Sequence, residues 1–162
     1  MAGEINLTIR RANAADAAVI AAFNAAMAAE TEALHLDHQR LAAGVRAVLE
    51  DASKGFYTVA EADGQVVGQM LITFEWSDWR NGVFWWIQSV YVSPGYRRCG
   101  VYARILQHVM QQAKALGNVC GFRLYVEKEN TRAQTVYQHL GMRRTNYDMF
   151  EEIGRASCRE RV

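Results

Sequence analysis

Residues 96–105 read YRRCGVYARI. Just upstream stand Pro94 and an apolar run with strand composition, VFWWIQSVYV (83–92); a helical pattern follows to about Leu116. The stretch therefore sits in a strand-to-helix turn, and it carries two arginines and a glycine. A helix N-terminus presents N–H groups that have no intrahelical acceptor, together with the positive end of the helix dipole. Gly100 lets a ligand approach the backbone with no Cβ in the way, and Arg97 and Arg98 add planar cationic donors. Two readings fit: an anion cradle suited to phosphate, and a solvated basic turn that contains a glycine. No Gly-Lys-Ser/Thr follows, which excludes a Walker loop.

Outward from this turn the pattern is α+β. INLTIRRA (5–12) alternates apolar and polar residues and predicts a first strand. Asn13 and Asp16 are spaced as a capping box that opens an alanine-rich helix to about Glu30. Residues 31–51 continue as a second helix with an apolar stripe of Leu34, Leu41, Val45, Val48 and Leu49, ended by Lys54-Gly55. The run 56–76 divides at Asp63-Gly64, a hairpin signal, and SDWRNG (77–82) is a second turn. Three consecutive antiparallel strands follow, the third being 83–92. GFRLYVE (121–127) is a fifth strand. Asn130-Thr131 opens a short helix that stops at Gly141, and MRRTNYDMFEE (142–152) supplies one or two closing strands.

Two motifs carry a resemblance. Arg97, Gly100 and Tyr102 stand at the three fixed positions of a Gln/Arg-x-x-Gly-x-Gly/Ala phosphate signature. ENTRAQTVYQHLGM (129–142) matches a second motif through Asn130 to Ala133 and Tyr137 to Gly141. On these, the chain resembles the GNAT acetyltransferase superfamily from about Ile5 to Glu152. The departure is Tyr102, where Gly or Ala is usual; either its side chain points away from the pyrophosphate path or the cofactor path shifts slightly.

The resemblance implies a GNAT fold: a mixed, mostly antiparallel sheet of six to seven strands with four helices, strands four and five splayed apart. It implies acetyl-coenzyme A as acetyl donor, its pantetheine arm paired with backbone at Val90 and Val92. The pyrophosphate would lie on the amides of Arg98, Cys99, Gly100, Val101 and Tyr102, beside Arg97. A strand-four N–H near Ser89–Val90 would polarise the thioester carbonyl, where charge develops during attack. Asn130 would contact the cofactor arm, although Asn is also a good helix cap. Tyr137 would contact the cofactor and protonate the departing thiolate, although a core aromatic fits that position too. The strand-four carboxylate that often serves as base is absent; Gln88 cannot accept a proton at neutral pH. Glu75, with Asp78 beside it, is the nearest carboxylate in sequence. Cys99 lies in the turn itself, poorly placed for an acyl-enzyme, so direct attack by the acceptor amine in a ternary complex is expected. The rival reading is a noncatalytic acyl-coenzyme A sensor or partner-binding module on the same scaffold.

Composition bounds the rest. The chain has 162 residues, 51% hydrophobic and 22% charged, with formal net charge +1. That balance argues against nucleic acid as partner, and no apolar run approaches the roughly 20 residues of a membrane span. A cytoplasmic location is expected. Three cysteines in no CxxC spacing point to neither a disulfide framework nor a zinc site, and no metal is expected. Residues 153–162, IGRASCRERV, read as an adapter-derived, non-native tail, since their codons can spell a sequencing adapter. They hold three Arg and one Glu, so residues 1–152, read as a single domain, have net charge −1. Trp76, Trp79, Trp85 and Trp86 crowd one hairpin. At least two should pack in the core, and others should line the acceptor groove or a possible homodimer surface. The acceptor is expected to be a small-molecule or peptide amine.

Overall fold

The computed structural model describes residues 5–152; the ten-residue tail lies outside the described residues. The chain divides into two compact units, one ending at Tyr125 and the other beginning at Val126.

In the first unit the order is β1 (Leu7–Arg11), a 3-10 turn (Ala14–Asp16), α1 (Ala17–Glu32), α2 (His38–Glu50), β2 (Phe56–Ala62), β3 (Gln65–Ser77), β4 (Gly82–Val92), a second 3-10 turn (Pro94–Tyr96), α3 (Val101–Leu116) and β5 (Val119–Leu124). The sheet runs β1-β2-β3-β4-β5. The first four strands are antiparallel neighbours, and β5 joins β4 in parallel. Strand alternation divides the side chains between two layers. On one face Met70, Ile72, Trp85 and Ile87 pack with Val101, Ile105 and Val109 of α3. On the other, Tyr57 and Val59 pack with Ile20 of α1 and Val45 of α2.

The capping box forms as expected. The Asn13 side chain accepts from the Ala15 amide, and Asp16 accepts from the Asn13 amide at 2.8 Å. Asp16 is buried, and the Arg10 guanidinium grips both its oxygens at 2.8 and 2.9 Å. Arg10 holds the Asp16 carboxyl below its ordinary range, against the upward push of burial. A depressed carboxyl contributes stability above its unfolded pKa and loses it as pH falls through the lowered value. Asp16→Ala removes one of the two carboxylates that hold the half-buried Arg10 guanidinium, leaving Glu61, and breaks half of the capping box, at a cost of about 2 kcal/mol. Thermal unfolding at neutral pH should show a melting temperature lower by roughly 5 °C. The difference from wild type should shrink on acidification, and an unchanged melting temperature would remove Asp16 from the stabilising contacts.

Two expectations need correction. The second helix begins at His38, not at Thr31: α1 ends on Ala33 in the left-handed region (φ 52°), and Asp37 caps α2 through the Arg40 amide at 3.0 Å. Residues 33–35 are exposed, Leu34 among them, so the link between the two helices buries no apolar face that would hold it helical. The sheet has five strands among the described residues rather than six to seven. Residues 142–152 form no strand; a strand exists only through a paired neighbour, and their first amide is taken instead by the Tyr137 carbonyl.

The second unit holds α4 (Thr131–His139), which brings the helices to four among the described residues. The Asn130 side chain caps it, accepting from the Ala133 amide at 3.1 Å. Gln134 ties the helix back to its approach, its Nε2 donating to the carbonyls of Glu127 and Lys128.

Candidate active site

Beside β5, β4 is paired only from Val83 to Ile87; β5 ends at Leu124, opposite Ile87, while β4 runs on to Val92. The reason lies in β4 itself. Met70 faces Val90 and Ile72 faces Ile87, so Leu71 opposes both Gln88 and Ser89. An extra residue on one strand bends that strand and increases its twist, and it does so where the β4–β5 ladder stops.

Beyond the bulge the orientation of the backbone can be assigned. The Ser93 amide donates to the Val67 carbonyl of β3 at 2.9 Å. Backbone polar groups reverse side at each residue along a strand, so Tyr91 also faces β3, while Val90 and Val92 present N–H and C=O to the open edge. The Val92 carbonyl confirms this direction: it accepts from Arg97 Nε at 2.9 Å, outside the sheet ladder.

The turn that opens α3 lies directly after this edge. Arg98 and Gly100 are both left-handed (φ 66° and 76°), and Gly100 occupies the N-cap position without a side-chain cap. The first intrahelical bond runs from the Arg104 amide to the Gly100 carbonyl, so the helix begins with its first-turn amides directed outward. A Cβ built at Gly100 meets nothing within 4 Å, which leaves the approach to the backbone open. Gly68 seats the helix: a Cβ there would stand 2.9 Å from the Val101 side chain, so α3 begins in direct contact with β3. Tyr102 packs its ring against the α3-face core, which resolves the departure from the motif: the side chain points inward.

The cationic groups of the turn differ. Arg97 donates from Nη2 to Glu30 of α1 at 2.7 Å and lies over the Tyr91 ring, 5.3 Å from its centroid. The Arg98 guanidinium makes no hydrogen bond or ion pair among the described residues and is exposed. Cys99 is an exposed free thiol whose Sγ approaches the Arg97 carbonyl at 3.5 Å.

On the face of β4 away from α3, Gln88 donates to Thr73 Oγ1 at 3.1 Å. Trp86 stacks against Tyr125 with centroids 4.5 Å apart. Glu75 is ion-paired with Arg123, whose guanidinium lies 3.7 Å over Phe84. Glu75 faces Phe84 in register, which puts it about 15 Å along the strand from Ser89–Val90. The structure therefore brings Val90, Val92 and the 97–102 turn together and does not bring Glu75 to them. Asp78, in the β3–β4 turn, accepts from the Trp79 amide. Of the tryptophans, Trp85 is buried edge-on against Phe56 and Phe122, and Trp86 is half-buried. Trp76 and Trp79 are 63% and 88% exposed.

In the second unit, Tyr137 is half-buried on α4 and its hydroxyl makes no hydrogen bond among the described residues. Burial raises the hydroxyl above its ordinary range, so it holds its proton through neutral pH. Sequence reasoning missed Glu30: it ends an alanine helix with no local feature, and nothing in the chain marks its pairing 67 positions away.

The profile of the acetyltransferase (GNAT) family matches residues 19–142. The chain belongs to the GNAT acetyltransferase family. Its members are N-acetyltransferases that draw the acetyl group from acetyl-coenzyme A. A solved structure of a possible acetyltransferase from Clostridium difficile 630 is 44% identical, covers 91% of this chain and 97% of its own, and superposes with TM-score 0.87. An integron cassette protein from the Cole Harbour Salt Marsh mobile metagenome shares the fold at 21% identity and TM-score 0.78, over 90% of this chain and 89% of its own. The enzyme AAC(6')-Iy, solved with the bisubstrate analogue CoA-S-monomethyl-acetylneamine, shares it at 19% identity and TM-score 0.74, over 92% of this chain and 99% of its own. No curated protein matches. Among the described residues no three His, Cys, Asp or Glu side chains are grouped to hold a metal ion, and no helix is long and apolar enough to cross a membrane.

The GNAT donor fits the residues present. The Val90–Val92 edge offers main-chain groups to an amide-bearing arm, and the outward amides after Gly100 suit a pyrophosphate.

Proposed function

We propose that this GNAT domain acetylates a small-molecule or peptide amine by direct attack of that amine in a ternary complex. The observation that carries the reading is the open edge of β4, with Val90 and Val92 directed outward, running straight into the uncapped start of α3. Acetyl-coenzyme A supplies the activated acetyl thioester when bound. The chain's contribution is to place it. Val90 and Val92 orient the arm, the amides of Arg98 through Tyr102 with Arg97 beside them hold the pyrophosphate, and the outward Val90 N–H stabilises charge on the thioester oxygen. Asn130 keeps its amide nitrogen for the arm while its oxygen caps α4. Tyr137 gives its proton to the departing thiolate. Glu75 receives the proton lost by the amine only through intervening water, given its position along β3. The fold shared with AAC(6')-Iy, whose bisubstrate analogue carries acetylneamine, favours a small-molecule amine over a peptide.

The test is thiol release from acetyl-coenzyme A across a panel of amines. Amine-dependent release supports transfer. Tight coenzyme A binding with no release for any amine would favour the noncatalytic sensor, whose sequence support is Gln88 in place of a carboxylate.

A further inference from the structure

Three side chains from separate parts of the first unit converge next to the open edge of β4. Glu30, in the last turn of α1, accepts from the Tyr91 hydroxyl through Oε1 at 2.9 Å and from Arg97 Nη2 through Oε2 at 2.7 Å. The same guanidinium donates from Nε to the Val92 carbonyl at 2.9 Å and lies over the Tyr91 ring. Tyr91 is itself buried and set against Phe23 of α1, with ring centroids 4.9 Å apart. Arg97 and Tyr91 hold the Glu30 carboxyl below its ordinary range, so Glu30 stays ionised at neutral pH.

This arrangement adds a side-chain restraint beyond the Ser93, Tyr96 and Arg97 amide bonds and the packing of Tyr96 that already hold the segment. Between Val92 and the first α3 bond the chain passes through a 3-10 turn and two left-handed residues, one of them the non-glycine Arg98. A left-handed non-glycine residue costs about 1 kcal/mol and persists only where its surroundings impose it. Arg97 immediately precedes it. Its planar fork satisfies a carboxylate and a carbonyl at once, which a lysine ammonium does not do with fixed geometry.

We propose that Glu30 is a positioning residue for the cofactor turn: through Arg97 it fixes residues 97–102 against the end of β4 and makes α1 part of the coenzyme A site. The inference rests on the acetyl-coenzyme A reading of that turn. Glu30 and Arg97 side chains are 43% and 44% exposed, so the contact adds little to global stability. Its effect is on the conformation of the turn.

The experiment compares wild type with Glu30→Ala and Arg97→Lys by two measurements. Hydrogen exchange of the hydrogen-bonded amides that flank and begin the turn, Ser93, Tyr96, Arg97 and Arg104, should quicken several-fold in both variants in the unliganded protein, with the melting temperature nearly unchanged. Calorimetric titration should show coenzyme A affinity about fivefold weaker in both, and the double variant should be little worse than either single one. In turnover the loss should fall on KM for acetyl-coenzyme A rather than on kcat. Unaltered exchange of the turn overturns the proposal whatever the affinity does. Unaltered or tighter coenzyme A binding by Glu30→Ala also overturns it, tighter binding showing that Arg97 obstructs the Val92 carbonyl. A wild-type protein that binds no coenzyme A removes the underlying reading, and that result is distinct from a wild type that binds and variants that match it.

Discussion

Gly100→Asp is expected to weaken coenzyme A binding by about a hundredfold, close to 2.7 kcal/mol. The protein itself has room for the change: the added Cβ meets nothing within 4 Å. Backbone strain is also modest, because Asp is among the residues that tolerate the left-handed region in which Gly100 sits (φ 76°). The fold should therefore survive with nearly wild-type melting. The ligand has no such room. In the proposed site the new carboxylate would stand where the backbone approaches a pyrophosphate and would face a second anion at the positive end of α3. Gly100→Ala separates the two effects, since it adds the Cβ without the charge and should lose less. Calorimetric titration of a folded Gly100→Asp variant with wild-type affinity would remove the pyrophosphate from this turn.

The other large effect is expected at Tyr137. Tyr137→Phe keeps the ring and removes the proton donor, and general acid assistance is typically worth about a hundredfold or more. The rate constant of the chemical step should fall by roughly that factor, with coenzyme A affinity nearly unchanged. Burial sets the sign of the pH dependence. The hydroxyl is raised above its ordinary range, so the wild-type rate should not decline as pH climbs into the usual tyrosine range, but only beyond it. Single-turnover measurements with an amine identified by thiol release make the comparison. A Phe variant with undiminished chemistry would return Tyr137 to the role of a packing aromatic.

The parts of the fold that were legible are those governed by local rules. The Asn13–Asp16 capping box, the Asp63-Gly64 hairpin and the Gly117 end of α3 each depend on a few adjacent residues, and each forms where the pattern predicts. The closing strands were not legible, because residues 142–152 form no ladder with any strand among the described residues and pairing is not a property of one segment. The main-chain part of the candidate site was readable because a glycine and a strand-to-helix turn signal it directly. The bulge at Gln88–Ser89 was not: it arises from register against β3, which no spacing within β4 shows. Glu75 stood out as a carboxylate near the fourth strand, but proximity in sequence across a hairpin does not set distance along the strands. Its partner Arg123 comes from β5, 48 residues away in the chain.

The outward-facing groups at Val90, Val92 and the start of α3 belong to the main chain. If they hold the donor as proposed, alanine scanning should be almost silent in donor binding across much of this segment, because truncating a valine or a cysteine leaves every amide in place. The informative probes are those that alter the peptide unit: a proline at Val101, which deletes one N–H, or an ester in place of a single amide introduced by semisynthesis. On the opposite face of the sheet, by contrast, Trp86, Gln88 and Tyr125 are held by contacts between side chains, so alanine substitution there removes the contacts themselves.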